Sequence, residues 1–185
     1  MPNLKKNIKL KEGVTLKNFI NLTPKETEMV RAWRNNSSIK KWMYKSHIIS
    51  AREHAEFVNK LGEKSCKFCW VIKNKNEEYI GVIILDRVDL CNKNAYLGIY
   101  RNPYSKSLCS TLSLGKIILG LAFNIAGLHT LKLEVFEDND KASRFYRRIG
   151  FRKEGRLRNF VYKDKKRKDV IIMGILNKEK ARLGS

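Results

Sequence analysis

The spacing of hydrophobic and polar positions in the first half of the chain changes from a strand period to a helix period and back. Residues 14–20 alternate as a strand. Thr23 and Ser50 are each followed three residues later by a glutamate, which predicts two helices that begin with capping boxes. Residues 66–73 and 79–88 are typical of two strands joined by a polar turn, which predicts an antiparallel hairpin.

The second half of the chain predicts a crossover and a second hairpin. Its elements follow in order: a strand at 95–100, a mostly buried helix at 112–125, a strand at 131–136, a short helix at 140–149, and strands at 156–162 and 170–176. A strand, helix, strand order of this kind joins parallel neighbours in a sheet. We therefore predict one mixed α/β domain over residues 1–185, with a largely antiparallel sheet of seven strands flanked by about four helices.

The charge of the chain narrows the class of partner. Lysine and arginine outnumber aspartate and glutamate by 39 to 18, which gives a net charge of +21. A field of this sign attracts phosphorylated small molecules, nucleic acids and acidic membranes, and it repels polycations. About half of the excess is scattered along the sequence. The clusters that remain lie at residues 144–158 and 163–168.

The sequence predicts neither a membrane span nor a secretory signal. Its longest apolar run, at residues 117–126, is too short to cross a bilayer and is interrupted by Gly120 and Asn124. Residues 1–11 are basic but lack an apolar stretch. We expect a cytoplasmic protein without a membrane partner.

The cysteines raise the question of a metal site. Cys66 and Cys69 have C-x-x-C spacing. A structural zinc site needs a second pair of ligands close in sequence, but Cys91 and Cys109 lie far apart. Cys69 also belongs to an apolar strand. We expect no metal, and thiols that are reduced and structural.

A stretch at residues 139–151 combines side chains that suit a ligand. An asparagine heads the predicted helix, Phe145 and Tyr146 lie on its far turn, and a glycine and a phenylalanine follow. Asn139 can cap the helix and still bond a ligand amide. Tyr146 joins an apolar ring to a polar tip and can donate a proton inside a dry cleft. The structural alternative is an amphipathic helix whose two aromatic residues belong to the core.

The spacing N-x-x-A-x-x-F-Y-x-x-x-G-F, at this place in the element order, resembles the second half of the GNAT acetyltransferases, the Gcn5-related N-acetyltransferases. The resemblance implies a GNAT-type fold and acetyl coenzyme A as co-substrate. It implies that Asn139 contacts the pantetheine arm, that Phe145 packs on it, and that Tyr146 directs its hydroxyl at the thioester sulfur as general acid. The other coenzyme contacts it implies are Lys141, Leu97, Gly98, Ile99 and Tyr100.

GNAT enzymes also hold the pyrophosphate of the coenzyme in a glycine-rich loop at a helix start. The equivalent loop here has no glycine and consists of Lys106, Ser107, Leu108, Cys109, Ser110 and Thr111. Three hydroxyls, the lysine charge and the helix dipole are left to bind the phosphates. We expect a coenzyme site in which the backbone approaches less closely than glycine would allow.

A further resemblance, carried by short stretches along most of the chain, concerns the acceptor. The stretches are W-R-N at 33–35, W-M-Y at 42–44, E-H at 53–54, Y-L-G-I-Y at 96–100, L-E-V at 133–135 and E-G-R-L at 154–157. They resemble the GNAT enzymes of bacterial pseudaminic acid biosynthesis, which acetylate the 4-amino group of UDP-4-amino-4,6-dideoxy-N-acetyl-β-L-altrosamine. The substrate contacts that this resemblance implies are Arg34 and His54 on the nucleotide, Tyr100 near the reaction centre, and Met43 and Tyr44. The structural alternatives are a solvated Arg34 and a His54 that pairs with Glu53 or lies on the helix surface.

The expected reaction is direct attack of a neutral sugar amine on the thioester, within a ternary complex. Backbone N–H groups at residues 97–100 would polarise the carbonyl, and Tyr146 would protonate the leaving thiolate. The sequence leaves the general base open among Glu134, Asp86, His54 and an ordered water.

Two other functions fit parts of the sequence. The charge and length also suit a GNAT enzyme that acetylates protein N-termini, including those of ribosomal proteins. A nucleic-acid-binding module could use residues 163–168 as a hairpin arm. Only Phe160 and Tyr162 flank that run, so a nucleic-acid partner is not expected. The edge of the same hairpin would permit pairing, which leaves a homodimer open.

Overall fold

The computed structural model of the chain describes residues 3–10, 13–63, 65–105 and 110–179. Its contacts divide into two compact units, of which the first comprises Met1–Asp86 and Gly98–Leu108 and the second Arg87–Leu97 and Cys109–Ser185. A single domain over residues 1–185 stays a prediction.

Every predicted strand and helix is present. The first unit contains β1 (Ile8–Lys9), β2 (Thr15–Asn18), a 3-10 turn (Phe19–Asn21), α1 (Pro24–Asn35), α2 (Ser37–Lys40), α3 (Ala51–Gly62) and β3 (Phe68–Lys73). Strands β4 (Tyr79–Asp89) and β5 (Asn94–Arg101) contribute residues to both units. The second unit contains α4 (Thr111–Leu119), a π-helix that continues it (Gly120–Ile125), β6 (Thr130–Phe136), α5 (Asp140–Arg148), β7 (Arg152–Lys163) and β8 (Lys166–Leu176).

The strands form a mixed sheet in the order β1-β2-β3-β4-β5-β6-β8-β7. Strands β1 to β4 pair with antiparallel neighbours, as do β6, β8 and β7. Strands β5 and β6 run parallel and are joined through α4. The mixed α/β class, the largely antiparallel sheet and the crossover are therefore confirmed.

The counts of strands and helices differ from the prediction. The sheet has eight strands instead of seven, because the described residues include β1, which is only two residues long. Two residues cannot display an alternation. The described helices number five instead of about four because α2 forms a single turn, capped where Asn36 Oδ1 accepts from the Ser38 N–H at 3.0 Å. One turn is likewise too short to show a helical period.

Both predicted helix starts are confirmed, but only the first has the full capping box. At α1 the Thr23 hydroxyl accepts from the Glu26 N–H, and the Glu26 carboxylate accepts from the Thr23 N–H at 2.8 Å. At α3 the Ser50 hydroxyl accepts from the Glu53 N–H. The Glu53 carboxylate, however, contacts the His47 ring at 2.9 Å, so it is directed to the preceding loop.

An apolar cluster forms the core of the first unit. Its buried members are Phe19, Val30, Trp33, Ile39, Leu61, Cys69, Val71 and Val82. Met43 and Tyr100, two of the predicted substrate residues, pack against this cluster. Burial raises the pKa of the Cys69 thiol to about 12, so this side chain is an inert part of the core.

The cysteines make no disulfide among the described residues. Cys66, Cys69 and Cys91 are free thiols, whereas Cys109 lies outside the described residues. Within the same residues no group of three His, Cys, Asp or Glu side chains could hold a metal ion, and none of the helices is long and apolar enough to cross a membrane.

Helices α4 and α5 approach each other closely in the second unit. A Cβ atom at Gly115, on α4, would lie 2.6 Å from Ile149 Cγ2, just beyond the end of α5. The next residue, Gly150, has φ +98 and ends the helix in the left-handed region. Two glycines therefore set how α5 ends and how near it lies to α4.

We expect Gly115→Ala to lower the free energy of unfolding by about 1–3 kcal/mol, because the branched Ile149 side chain must move to admit a methyl group. Gly120→Ala is the matched control on the same continuous helix, since a Cβ there meets nothing within 4 Å. That change should stabilise the protein by about 0.5–1 kcal/mol. Urea unfolding of both variants tests this, and equal stability would show that the helices are not in close contact.

Candidate active site

Asn139 heads α5 as its N-cap. Its Oδ1 accepts from the Ala142 N–H at 3.2 Å, and its carbonyl accepts from the Ser143 N–H at 3.0 Å. Both oxygens are therefore used by the helix. The side-chain N–H₂ group, which bonds none of the described residues, is the part of Asn139 that can donate to a ligand carbonyl.

Tyr146 combines a buried ring with a hydroxyl that is not hydrogen-bonded to any described residue. Its side chain is 7% exposed, and its ring lies 5.3 Å from that of Phe145 and 5.8 Å from that of Phe151. Burial raises the pKa of Tyr146, so the phenol stays protonated at neutral pH and can act as a proton donor. The burial of the ring is consistent with the structural alternative, in which Tyr146 is a core residue. The hydroxyl without a partner is consistent with the predicted role of general acid.

The rest of the predicted coenzyme set is described in part. Ser110 caps α4, where its Oγ accepts from the Ser113 N–H at 3.1 Å. Lys141 is exposed and Phe145 is half-buried on α5. Thr111 begins α4, and Lys106, Ser107, Leu108 and Cys109 lie outside the described residues.

Strand β5 carries the predicted backbone contacts of the coenzyme. Its parallel ladder with β6 pairs Asn94 with Thr130 and Tyr96 with Lys132. The predicted contacts Leu97, Gly98, Ile99 and Tyr100 follow directly on the same strand, which ends at Arg101. Leu97 is buried, and the other three are half-buried.

Arg34 is the main candidate on the acceptor side, in the first unit. It is half-buried near the end of α1, and its Nη2 donates to the Lys45 carbonyl at 3.2 Å. Its Nη1 is shielded from solvent and bonds none of the described residues. Burial lowers the pKa of Arg34, and the field of Tyr100 and Glu53 opposes this shift. Arg34 is therefore not a fully solvated helix residue, because its Nη1 atom is shielded from water.

The other predicted substrate residues of this unit differ in exposure. Tyr100 is packed against the apolar cluster, and burial raises the pKa of its hydroxyl. Met43 is half-buried, whereas Tyr44 is 41% exposed. These residues offer a neutral phenol, a flexible thioether and an accessible ring to a substrate.

His54 is a buried histidine, not a surface one. Its side chain is 5% exposed, and its ring centroid lies 6.5 Å from that of Phe19 and 6.2 Å from that of Phe57. Nδ1 is shielded and bonds none of the described residues. Burial lowers the pKa of His54, as does the nearby Arg31, so the ring is neutral at pH 7. Glu53 binds His47 instead, so both structural alternatives for His54 are wrong.

Two of the possible general bases are ion-paired. Glu134 Oε1 accepts from Arg87 Nη2 at 2.8 Å, and Asp86 lies 3.0 Å from Lys67 Nζ. The third, His54, is neutral but enclosed by aromatic rings. Each would have to change its present contacts to take a proton from an amine, so the general base stays open.

Two polar side chains near these sites were not predicted from the sequence. Arg87 has φ +50 within β4, and its guanidinium lies 3.5 Å from the centroid of the Tyr96 ring while it donates to Glu134. Asn35 bonds the backbone of Ile49 through both ends of its amide. Their partners are distant in sequence, so no local pattern indicates them.

A protein-family model covers most of the chain. Residues 21–172 match the model of the acetyltransferase (GNAT) domain. The chain belongs to the GNAT acetyltransferase family. The family resemblance given by the stretch at residues 139–151 is thereby confirmed, and the protein is an acetyltransferase.

Relatives of this acetyltransferase include Acetyltransferase PseH from two strains of Campylobacter jejuni. They are 35% and 34% identical over 138 residues, which is 75% of this chain and 84% of theirs. A spermidine N(1)-acetyltransferase from Vibrio cholerae is 26% identical over 149 residues, which is 78% of this chain and 86% of that protein.

Solved structures support the fold of this acetyltransferase. The spermidine N-acetyltransferase of Vibrio cholerae, in complex with CoA and spermine, matches with a TM-score of 0.80 over 91% of this chain and 98% of that one. At 24% sequence identity the match shows a shared fold.

Buried His54 should make stability depend on pH. Below about pH 6.5 the unfolded histidine takes up a proton that the folded ring resists, so the melting temperature should fall between pH 7.5 and about pH 5.5. His54→Phe keeps the aromatic packing and removes the titrating group, so its melting temperature should fall less. Ile48→Ala, a change at a 69% exposed side chain that does not titrate, should keep the wild-type slope. An unchanged slope in His54→Phe would contradict the burial of a neutral ring.

Proposed function

We propose that this acetyltransferase transfers the acetyl group of acetyl coenzyme A to the 4-amino group of a UDP-linked amino-dideoxy sugar in pseudaminic acid biosynthesis. The proposal is supported by the 35% identity to Acetyltransferase PseH and by the stretches that resemble the pseudaminic acid enzymes. The preferred acceptor is UDP-4-amino-4,6-dideoxy-N-acetyl-β-L-altrosamine.

The observation that carries the proposal is one shielded nitrogen, Nη1, of the half-buried Arg34 guanidinium. Arg34 Nη1 is shielded and bonds none of the described residues, and leaving such a donor unsatisfied costs about 1–3 kcal/mol. A phosphate or uracil oxygen would satisfy it with a charge-assisted hydrogen bond. His54, with its own unpartnered Nδ1, is the second proposed nucleotide contact, and Met43, Tyr44 and Tyr100 complete the acceptor set.

Coenzyme binding is proposed for residues of α4, α5 and β5. Asn139 would donate its side-chain N–H₂ group to a pantetheine carbonyl, and Phe145 would pack on the arm. The start of α4 offers its N–H groups and dipole to the pyrophosphate, with Lys141 and the residues 106–111 as further contacts. The chemistry that the coenzyme supplies is an acetyl thioester.

In the proposed reaction the neutral sugar amine attacks the thioester carbonyl carbon directly. The C–N bond forms first and places a negative charge on the carbonyl oxygen, the C–S bond then breaks to release the coenzyme thiolate, and no acetyl-enzyme is required. Backbone N–H groups of Leu97 to Tyr100 would stabilise the negative charge on the carbonyl oxygen. Tyr146 would protonate the thiolate. The base that takes the proton lost by the amine stays open among Glu134, Asp86, His54 and an ordered water.

Two other acceptors are less well supported. A polyamine, as named for the Vibrio cholerae relative, carries the same sign of charge as this chain, whose net charge is +21. The fields of the two would repel each other. A protein N-terminus carries no phosphate to occupy Arg34. We still expect the enzyme in the cytoplasm, where a sugar nucleotide and acetyl coenzyme A would be available to it. A homodimer that pairs along β7, the last strand of the sheet, stays open.

Tyr146→Phe should lower the turnover number by about 10²-fold, because the variant lacks the proton donor for the thiolate. Its KM for acetyl coenzyme A and its melting temperature should change little, since the ring is kept and the hydroxyl bonds no described residue. Tyr162→Phe, a change at a 64% exposed ring, is the control. Unchanged turnover in Tyr146→Phe, with product release shown not to limit the rate, would require another acid.

Arg34→Ala should reduce kcat/KM for the UDP-amino sugar by about 10- to 100-fold while acetyl coenzyme A binding survives. Arg34→Lys should recover part of the loss, because it restores the charge without the planar fork. Arg52→Ala is the matched control, since that side chain is 91% exposed. The assay measures thiol release with the sugar nucleotide, spermidine and N-terminal peptides. Efficient turnover of spermidine or a peptide by wild type, with none of the sugar nucleotide, would overturn the proposal.

A further inference from the structure

The segment between α2 and α3 carries two of the proposed acceptor contacts. We name residues 41–49 the acceptor loop. It contains Met43 and Tyr44 and has neither helix nor strand. Met43 packs against the apolar cluster of the first unit, whereas Ile48 is 69% exposed. Side chains of other elements must therefore hold the rest of the loop in position.

Asn35, the last residue of α1, holds the end of this loop. Its Nδ2 donates to the Ile49 carbonyl at 2.9 Å, and its Oδ1 accepts from the Ile49 N–H at 2.8 Å. The amide thus pairs with one residue as a neighbouring strand would. Arg31 Nη1 donates to the same carbonyl at 2.8 Å. Ile49 is fixed just before Ser50, the residue that caps α3.

The loop in turn contacts Arg34. Its Lys45 carbonyl accepts from Arg34 Nη2 at 3.2 Å. Because that bond holds one arm of the planar guanidinium, it also sets the direction of Nη1, the arm without a partner among the described residues. A displaced loop would move Met43 and Tyr44 and release Arg34 together.

We propose that Asn35 is a positioning residue for the acceptor: it fixes the acceptor loop, and through the loop it orients Arg34. The inference rests on the proposed function for the identity of the acceptor and for Arg34, Met43 and Tyr44 as its contacts. Asn35 itself touches neither the amine nor the coenzyme in this proposal. Its effect is to reduce the loss of loop freedom when the acceptor binds.

If Asn35 only stabilised the fold, its loss would have the same effect as the loss of another buried asparagine amide. A second asparagine of the same unit, Asn18, therefore distinguishes a structural role from a positioning role. Asn18 also uses both ends of its amide: Nδ2 donates to the Leu4 carbonyl at 2.8 Å and Oδ1 accepts from the Ile20 N–H at 3.1 Å. It lies at the end of β2 and contacts no residue of the acceptor loop through these bonds. Asn18→Ala is therefore a control for general destabilisation.

The experiment compares Asn35→Ala, Asn35→Asp and Asn18→Ala in the full chain. Asn35→Ala should raise the KM for the acceptor substrate by about tenfold. Asn35→Asp should raise it by a similar or smaller factor, because the carboxylate can still accept from the Ile49 N–H but cannot donate to the Ile49 carbonyl. The KM for acetyl coenzyme A should stay the same. Hydrogen exchange should accelerate in a peptide covering residues 41–50 of both Asn35 variants and stay at the wild-type rate there in Asn18→Ala.

Equal effects of Asn35→Ala and Asn18→Ala on the acceptor KM, or an unchanged acceptor KM in both Asn35 variants, would overturn the proposal. If Asn35→Ala does not fold, Asn35→Asp decides on the same criteria. The KM is measured for whichever of the sugar nucleotide, spermidine and N-terminal peptide wild type uses best. A preference for spermidine or the peptide would refute the proposed function. The Asn35 proposal would then be tested by the KM of the Asn35 variants for that preferred acceptor.

Discussion

The acceptor proposal depends on polar side-chain atoms that are shielded from water and have no hydrogen-bond partner. Among the described residues only Arg34 Nη1 and His54 Nδ1 are shielded side-chain atoms of this kind. Native proteins leave few such atoms, and those that remain need an explanation. The two differ in chemistry, because the guanidinium N–H must donate, whereas the neutral ring of His54 can present either a donor or an acceptor at Nδ1. A phosphate oxygen can accept from an N–H at either position, whereas the edge of a base offers both donors and acceptors.

Charge then separates acceptors that the fold alone does not. The chain shares its fold with a spermidine acetyltransferase, yet it carries a net charge of +21. A phosphorylated acceptor gains from that field, whereas a polycation is repelled at long range. The scaffold provides the acetyl transfer, and the groups around the acceptor decide which amine receives it.

The sequence by itself determined the element order, the helix starts at Thr23 and Ser50 and the crossover, because local periods and caps act over a few residues. It indicated the family through the resemblance of residues 139–151 to the GNAT motif. The sequence did not indicate β1 or α2, because a strand of two residues and a helix of one turn are too short to show a periodic hydrophobic pattern. It assigned Tyr146 and Arg34 through resemblance, but not that the tyrosine hydroxyl bonds no described residue or that one arm of the guanidinium is shielded.

Only the tertiary structure decided the contacts between distant positions. The Glu53 carboxylate binds His47 instead of completing its box, His54 lies between Phe19 and Phe57, and Asn35 pairs with Ile49. In each case several polar or aromatic groups of the chain could have formed the contact, and the packing of the folded chain determines which of them does. Burial and hydrogen-bond satisfaction are properties of the folded surroundings, so they can be read only after the chain has brought these residues together.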